Sequence, residues 1–423
     1  MVGLLVSATV LRICTIVRKL PREIRLLHSQ SISVFARIGE VFRIIYRTVL
    51  GELMIIIVGG GIFGLAIGWY LARQGYPVTL LEKAQVGQGA TRAAAGMLMP
   101  WKLSSSFSSE LFSFQQESHF QWKTFAARLS EGADEPLDYQ TSGRFFVALS
   151  EKVTKRLRNQ YEFHREAGIP VEWLTGAEAR SRAPYLGPQV KAAVFSSLGH
   201  AVDSRQVINA LRCLFLRSGG VLREYTPVRK ILVDEKGAIG VRLANGDLLS
   251  ETVILAAGAW TGRLRGLPEA LGRAAKPRKG QTLILQMSGT TLAINHTVIG
   301  PVYFVPRSDG RLIVGTTVER DAGFDRDVTV GGVFHILEKA CRVVPRIDQL
   351  PLLEMSAGLR PTGPERQPVI GPTNIPGLII ATGGHSYGIL LAPAVAQAIS
   401  ELVHKNYISP LIAPFLPARR LRD

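Results

Sequence analysis

The chain has 423 residues, of which 47% are apolar and 20% charged, and its formal net charge at pH 7 is +17. This composition is typical of a globular protein and excludes a low-complexity chain, while the length favours two domains. Its cysteines, Cys14, Cys213 and Cys341, lie far apart, so no metal site or disulfide framework is indicated and a cytoplasmic location is expected. The basic residues are scattered without an RNA-binding pattern, so nucleic acid is not the expected partner.

Residues 1–53 precede the first predicted strand and do not match a signal peptide. Their apolar start is interrupted by Arg12 and Arg18 and is too short to span a bilayer. Residues 34–50 have the spacing of a basic amphipathic helix. Two interpretations stay open. The segment is either a peripheral membrane anchor or a non-functional extension with Met54 as the functional start, and the second is favoured.

The stretch MIIIVGGGIFGLAIGWYLARQGYPVTLLEK predicts a strand, a glycine-rich turn, a helix and a second strand. Its G-x-G-x-x-G spacing allows a tight turn, a close approach of backbone N–H groups to a pyrophosphate, and packing of helix on strand. An acidic residue ends the second strand, where its carboxylate would accept ribose hydroxyls. Together these features predict a bound dinucleotide. The predicted contacts are Gly59, Gly61, Ile62, Phe63, Gly64, Glu82 and Lys83.

The next stretch, QVGQGATRAAAGMLMP, is a run of small residues that resembles the D-amino-acid oxidase and glycine oxidase family of flavoenzymes. The resemblance extends from about residue 54 to the end. The segments AAAGMLMP, PRKGQTLIL, AGLRPTGPERQPVIG and GILLAPA are most similar to the glycine oxidases of thiamine biosynthesis. The resemblance implies FAD as the cofactor. Noncovalent binding is expected because Cys341 lies in a helix-like segment and not on a loop near the ring. The implied contacts here are Thr91, Arg92, Ala95, Gly96, Met97, Val228, Ala257, Gly258 and Trp260.

The implied fold class is α/β plus α+β, with a Rossmann-like FAD-binding domain of the glutathione-reductase-like class and an inserted antiparallel-sheet substrate domain. Strand-like segments between the flavin segments, GRFFVALS, GQTLILQM, PVYFVPRSDGRLIVGTT and VTVGG, support the inserted sheet. We predict that residues 54–110, 196–275 and 352–423 form the FAD-binding domain. Residues 111–195 and 276–351 are predicted to form the substrate domain.

Arg360 is the predicted ligand of a substrate carboxylate. Its segment, GLRP, predicts a turn just after a strand, and a planar guanidinium binds a carboxylate through two parallel hydrogen bonds. A structural arginine paired with a nearby carboxylate is the alternative, although the family motif matches here. Tyr303 is the second candidate, with its hydroxyl as a donor to the same carboxylate.

The stretch TGGHSYGILLAPAVAQAIS predicts a helix that begins near Gly388 and presents its N–H groups to an anion. The resemblance implies that this segment passes the flavin ring. Glycine oxidases usually carry an arginine and an asparagine before GILLAP, whereas this chain has only Ser386 and Tyr387, which puts glycine as the substrate in doubt. Tyr387 is predicted either to replace the arginine in part through its hydroxyl or to line a pocket for a larger or less acidic amine. The implied flavin contacts are His385, Gly388, Ile389 and Leu390.

The leading interpretation is an FAD-dependent oxidase of glycine or another small amino acid or secondary amine. Hydride would pass from Cα to flavin N5, and the resulting imine would yield a 2-oxo acid and ammonia while oxygen yields hydrogen peroxide. One alternative is a quinone-linked D-amino-acid dehydrogenase, in which residues 1–53 are the anchor. Another is a flavin-dependent domain that modifies wobble uridines of tRNA. The resemblance also suggests a homo-oligomer.

Overall fold

The computed structural model describes residues 54–101, 108–133 and 136–421. The predicted N-terminal extension and its amphipathic segment lie outside the described residues. Within these ranges, none of the helices combines the length and the hydropathy needed to cross a membrane. The α-helices are α1 (Ile62–Arg73), α2 (Ser109–Gly132), α3 (Glu151–Glu166), α4 (Gly176–Arg182), α5 (Ser204–Arg217), α6 (Glu269–Gly272), α7 (Val330–Val343), α8 (Gly388–Lys405) and α9 (Pro417–Arg420).

A six-stranded sheet carries the predicted strand–helix–strand unit. Its strands are β1 (Ile55–Val58), β2 (Val78–Leu81), β9 (Val221–Arg223), β13 (Thr252–Leu255), β19 (Val369–Pro372) and β20 (Leu378–Thr382). They are ordered β19-β20-β13-β1-β2-β9, and only the β19–β20 pair is antiparallel. All of β1 is buried, as expected for a parallel strand covered on both faces. The predicted Rossmann-like unit is confirmed as β1, α1 and β2.

An eight-stranded sheet forms the second layer. Its strands are β5 (Arg144–Ala148), β6 (Val171–Thr175), β7 (Ala192–Ser196), β14 (Lys276–Gln286), β15 (Thr297–Ile299), β16 (Tyr303–Pro306), β17 (Arg311–Gly315) and β18 (Leu352–Thr362). They are ordered β18-β14-β17-β16-β15-β5-β7-β6, and all pairs are antiparallel except β15–β5. The predicted antiparallel sheet is therefore confirmed, with one parallel pair inside it.

Two three-stranded sheets complete the strand inventory of the described residues. One is a meander of β10 (Lys230–Asp234), β11 (Gly237–Leu243) and β12 (Gly246–Leu249). The other joins β3 (Met97–Leu98), β4 (Tyr139–Gln140) and β8 (His200–Val202).

Two local predictions are wrong. The segment VTVGG is not a strand: the Thr329 hydroxyl accepts from the Gly332 N–H, as an N-cap does, and α7 begins at Val330. Arg360 is not in a turn but near the end of β18, which pairs with β14. The division into two domains stays a prediction. Strand β18, which was assigned to the FAD-binding domain, pairs with β14 of the predicted substrate domain.

The beginning of α8 is tied to α2 by buried hydrogen bonds. The Leu390 carbonyl accepts from the Ser118 hydroxyl at 2.7 Å and from the Trp122 indole N–H at 2.9 Å. Pro393, inside α8, has no N–H to donate to the carbonyl four residues earlier. Side chains of α2 therefore brace α8 one residue after Ile389, whose carbonyl loses its helical donor to Pro393.

We expect Ser118→Ala to lower the free energy of unfolding by about 1 kcal/mol, the net contribution of one buried hydrogen bond. Ser130→Ala is the matched control, since its hydroxyl bonds only to Ala126 of the same helix and both changes gain the same helix propensity. Urea unfolding followed by circular dichroism measures both variants. Equal stabilities would show that the Ser118–Leu390 contact does not hold α8.

Candidate active site

A cavity of about 460 Å³ lies where the two large sheets meet. Its lining includes Val58, Leu81 and Thr382, which end or follow parallel strands of the six-stranded sheet, and Gly280 and Arg360 from β14 and β18. Ligands of open α/β sheets bind beyond the carboxyl ends of the strands. The cavity is therefore where the sequence predicts a cofactor.

The positive end of α1 faces this cavity, and its N-cap residue provides no side-chain cap. Gly61 is the N-cap residue, and the first turn contains no acidic side chain. The Thr91 hydroxyl accepts from the Ile62 N–H at 3.2 Å, which fixes the following loop against the helix. Gly59 has φ of +110°, and a Cβ there would lie 2.5 Å from the Ala256 carbonyl oxygen. Only glycine fits this turn, and the helix end is left to bind an anion.

Glu82 follows β2 and lines the cavity. Its side chain also binds the glycine-rich turn. Its carboxylate accepts from the Gly60 N–H at 2.8 Å and from the Ala84 N–H at 3.0 Å. Lys83 places its ammonium 3.4 Å from the centre of the Trp260 ring. Burial lowers the pKa of Lys83 to about 8, although Glu82 acts in the opposite direction. A carboxylate already anchored by two amides still has lone pairs for ribose hydroxyls.

Backbone and small side chains make the floor of the cavity. Gly96 has φ of +67°, and a Cβ there would lie 1.8 Å from the Val202 carbonyl oxygen. The neighbouring Ala95 carbonyl accepts from the buried Arg307 guanidinium at 2.8 Å. A large flat ligand can therefore approach the main chain closely. The predicted contacts that line the cavity in this region are Ala95, Gly96, Met97, Val228, Ala257, Gly258 and Trp260.

The positive end of α8 also opens onto the cavity. Tyr387 is its N-cap residue, no side chain caps it, and its first turn contains no acidic residue. A Cβ at Gly388 would meet no atom within 4 Å, so the space before the helix is empty of protein. Gly388 and Ile389 both line the cavity. This second uncapped end suits negative charge on a ligand.

Arg360 lies flat over Gly280 at the end of the cavity. A Cβ at Gly280 would sit 2.2 Å from the guanidinium. The Arg360 Nη2 donates to the Thr316 hydroxyl at 2.8 Å, and Nη1 donates to the Thr317 carbonyl at 3.4 Å. Burial lowers the pKa of Arg360. Among the described residues no carboxylate lies within ion-pair distance of Arg360, so the structural-arginine alternative is not supported.

Tyr303 lines the same end of the cavity as Arg360. Its hydroxyl lies 3.3 Å from the Thr282 hydroxyl. The Tyr303 ring fills the space beside Gly315, where a Cβ would come within 2.7 Å of the hydroxyl. The two predicted carboxylate ligands are therefore brought together at one end of the cavity.

His385 lies between the end of β20 and α8 with φ of +46°. The His385 backbone N–H donates to the Pro361 carbonyl at 2.8 Å, and the imidazole Nδ1 lies 2.7 Å from the Ser386 hydroxyl. Burial, with the positive charges of Arg360 and nearby arginines, lowers the pKa of His385 to about 3. The imidazole is therefore neutral at physiological pH.

Four predicted site residues do not line the cavity. Gly64 packs α1 on the turn, because a Cβ there would lie 1.9 Å from the Gly59 carbonyl oxygen. Arg92 points to Glu354 at 3.4 Å instead of towards a pyrophosphate. Leu390 is buried in α8, and Tyr387 packs against the core that contains α1, α2 and α8. The prediction that Tyr387 contacts the substrate has no support in this placement.

The sequence reasoning missed three residues at the Arg360 end: Arg278, Gly280 and Thr316. All three line the cavity. In the sequence, the segment PRKGQTLIL stands out only by its likeness to the family. A signal is nevertheless present, because an arginine in a buried strand needs solvent, a protein partner or a ligand for its charge.

These residues fit an FAD molecule. Two helix ends without caps, an anchored carboxylate after β2 and a floor of glycine and alanine match a pyrophosphate, a ribose and a flat ring system. The residues that would hold the dinucleotide are those of the glycine-rich turn and Glu82. The ring would lie against the floor near α8.

Comparison with known proteins agrees with this geometry. Residues 54–402 match the DAO family, described as FAD-dependent oxidoreductases. The chain is 32% identical to the glycine oxidase of Geobacillus kaustophilus, over 86% of this chain and 96% of that protein. The crystal structure of a glycine oxidase from that organism has a TM-score of 0.80 and covers 87% of this chain and 99% of its own. The bifunctional protein ThiO/ThiG of a Nostoc species is 30% identical, over 85% of this chain and 54% of that protein.

Gly59→Ala should abolish FAD retention, because the new Cβ would collide with the Ala256 carbonyl oxygen at a positive φ. Gly75→Ala is the matched control, since its φ is +90° but a Cβ there would meet nothing within 4 Å. The ratio of flavin to protein absorbance in purified material measures the effect. Wild-type flavin content in Gly59→Ala would contradict the proposed packing of the turn.

The low pKa of His385 predicts a pH-dependent contribution to stability. Its unfolded value is near 6.5 and its folded value is about 3, so the neutral ring's contribution is complete above pH 6.5 and is lost as the pH falls towards 3. The difference in unfolding free energy between wild type and His385→Gln should therefore shrink between pH 7 and pH 4. Urea unfolding across this range measures it, with the exposed His335→Gln as control. A difference that does not change with pH would show that His385 is not buried beside the arginines.

Proposed function

This chain belongs to the DAO family of FAD-dependent oxidoreductases, and we propose that it oxidises the Cα–N bond of glycine or another small amino acid or secondary amine. The observation that carries the proposal is the Arg360 guanidinium, which lines the cavity without a carboxylate partner in the described residues. An unpaired, largely buried guanidinium is costly unless a ligand anion pairs with it. A substrate carboxylate supplies that anion.

When bound, FAD would supply the redox chemistry that oxidises the substrate amine. The protein's contribution is to orient the substrate and to stabilise charge. Arg360 has a planar fork for a carboxylate, with about 1.5–3 kcal/mol for each charge-assisted hydrogen bond. The Tyr303 hydroxyl adds a donor at the same end. Fixing the carboxylate limits where the Cα–H can lie, and such orientation lowers the barrier.

The uncapped end of α8 would stabilise negative charge in the cavity by about 0.3–2 kcal/mol. No side chain competes for this end. The neutral His385, with its low pKa, is a poor proton acceptor at physiological pH. The proposed reaction therefore proceeds without a general base if the substrate amine arrives neutral.

Oxygen is the proposed electron acceptor and yields hydrogen peroxide. A primary amino acid would yield a 2-oxo acid and ammonia, and an acyclic secondary amine would yield an oxo acid and the corresponding primary amine. Neither Cys213 nor Cys341 lines the cavity, which supports noncovalent FAD. If glycine is the substrate, the imine product would serve thiazole formation for thiamine, a role that the likeness to a ThiO/ThiG protein supports. The comparisons do not favour the quinone-linked or tRNA-modifying alternatives, and the homo-oligomer stays a prediction.

Anaerobic mixing with glycine, sarcosine, D-amino acids and D-proline tests the proposal directly. Bleaching of the flavin absorbance identifies each compound that is oxidised. Readmission of air should restore the yellow colour and yield peroxide if oxygen is the acceptor. Absence of bleaching by every amine would overturn the proposed function while leaving FAD binding intact.

Arg360→Met should lower kcat/KM for the best substrate by at least a hundredfold, because the carboxylate loses two charge-assisted hydrogen bonds. The flavin should stay bound. Arg242→Met is the matched control, since Arg242 is paired with Asp247 on the outer meander, away from the cavity. Steady-state peroxide assays on both variants measure the effect. A loss of less than threefold in Arg360→Met would remove Arg360 from the substrate site.

A further inference from the structure

Two arginines stand directly opposite each other where β14 and β18 meet the cavity. Arg278 of β14 is the register partner of Arg360 of β18. Side chains of directly opposed residues project to the same face of a sheet, and like charges in that arrangement are destabilising. Both residues line the cavity. An anion between or beside them would remove the repulsion.

The described residues do not supply that anion. The Arg278 guanidinium makes no hydrogen bond or ion pair with any part of the chain that the structure describes. The adjacent Lys279 differs, because it is buried and paired with Asp325 and Glu319. Arg278, which faces the cavity, is therefore unpaired. Lys279, which faces away from it, is neutralised by its two carboxylate partners.

Further positive charge surrounds Arg278. Burial and the charges of Arg366, Arg320 and Arg360 all lower the pKa of the Arg278 guanidinium, and only Asp321 opposes them. Arg366 and Arg320 are exposed, so they lie at the outer side of this cluster. Arg278 and Arg360 in the cavity, with Arg320 and Arg366 outside it, carry more positive charge than one substrate carboxylate can neutralise.

The segment before α8 does not supply a second cation beside Arg360. The arginine usual before GILLAP is replaced by Ser386 and Tyr387, and Tyr387 packs against the core. The positive charge directly opposite Arg360 comes instead from Arg278 of β14. A cation in a different place favours a differently shaped acidic substrate.

We propose that Arg278 forms a second anion subsite beside Arg360 and that the preferred substrate is a small amine with two carboxylates. This inference rests on the proposed function and names its substrate class. Arg360 and Tyr303 hold the carboxylate on the reacting carbon, and Arg278 holds the second. Glycine fills only the first subsite and leaves Arg278 without a partner.

The test compares glycine with aspartate enantiomers and with N-carboxymethylglycine, whose nitrogen lies between two carboxylates. In the wild type, kcat/KM for the best dicarboxylate should exceed that for glycine by at least tenfold. Arg278→Leu should lower that ratio by about tenfold to a hundredfold, as expected for a lost charge-assisted hydrogen bond. Arg278→Lys should recover part of it. A ratio that stays the same in Arg278→Leu overturns the proposal.

Lys276→Met is the matched control. Lys276 lies two residues earlier on the same face of β14, is exposed and does not line the cavity. Lys276→Met removes one positive charge, as Arg278→Leu does, so it reports any general electrostatic effect on an anionic substrate. A fall in the ratio equal to that of Arg278→Leu would mean that net charge alone sets the preference, and would overturn the subsite.

A binding measurement separates this proposal from the proposed function. Malonate and succinate cannot be oxidised as amines, so their binding is measured separately from turnover, by titration followed through the flavin absorbance spectrum. Tighter binding of either than of acetate, lost in Arg278→Leu, supports the subsite even if no amine bleaches the flavin. Equal binding of acetate and the dicarboxylates in the wild type overturns the subsite, whatever the amine panel shows.

Discussion

The close contact of α1 with the turn after β1 is the constraint on which the cofactor site depends. The Gly59 carbonyl occupies the space where a Cβ of Gly64 would lie, and the Ala256 carbonyl occupies the corresponding space at Gly59. Three backbone segments therefore meet with no side chain between them. This contact brings the uncapped end of α1 to the cavity and sets the depth of the cavity floor.

The substrate end depends on a different kind of contact. Arg360 is held by a hydroxyl and by backbone carbonyls, and none of its described partners carries a negative charge. Such partners fix the guanidinium in place without neutralising it. The positive charge therefore remains available to a ligand. The uncapped α8 end contributes in the same way, since α2 braces the helix through Leu390 and leaves its first turn free.

The sequence predicted features that depend on neighbours in the chain. The glycine spacing at residues 59–64 and the acidic residue at 82 belong to one local unit, and the start of α8 follows from glycines beside an apolar run. Features that depend on strand register were missed. Arg360 was expected in a turn, and nothing in the sequence indicated that Arg278 would be its partner across 82 positions of chain. Tyr387 was expected at the substrate because it stands beside a family motif, but its ring packs into the core.

The bare α-carbon at Gly280 has an evolutionary consequence. Glycine and alanine codons differ by a single nucleotide, and the added methyl would act as a wedge beneath the guanidinium of Arg360. The methyl group would displace the Arg360 guanidinium although no charged residue is replaced. A single uncharged residue beneath Arg360 therefore helps to set where the positive charge of the substrate end lies.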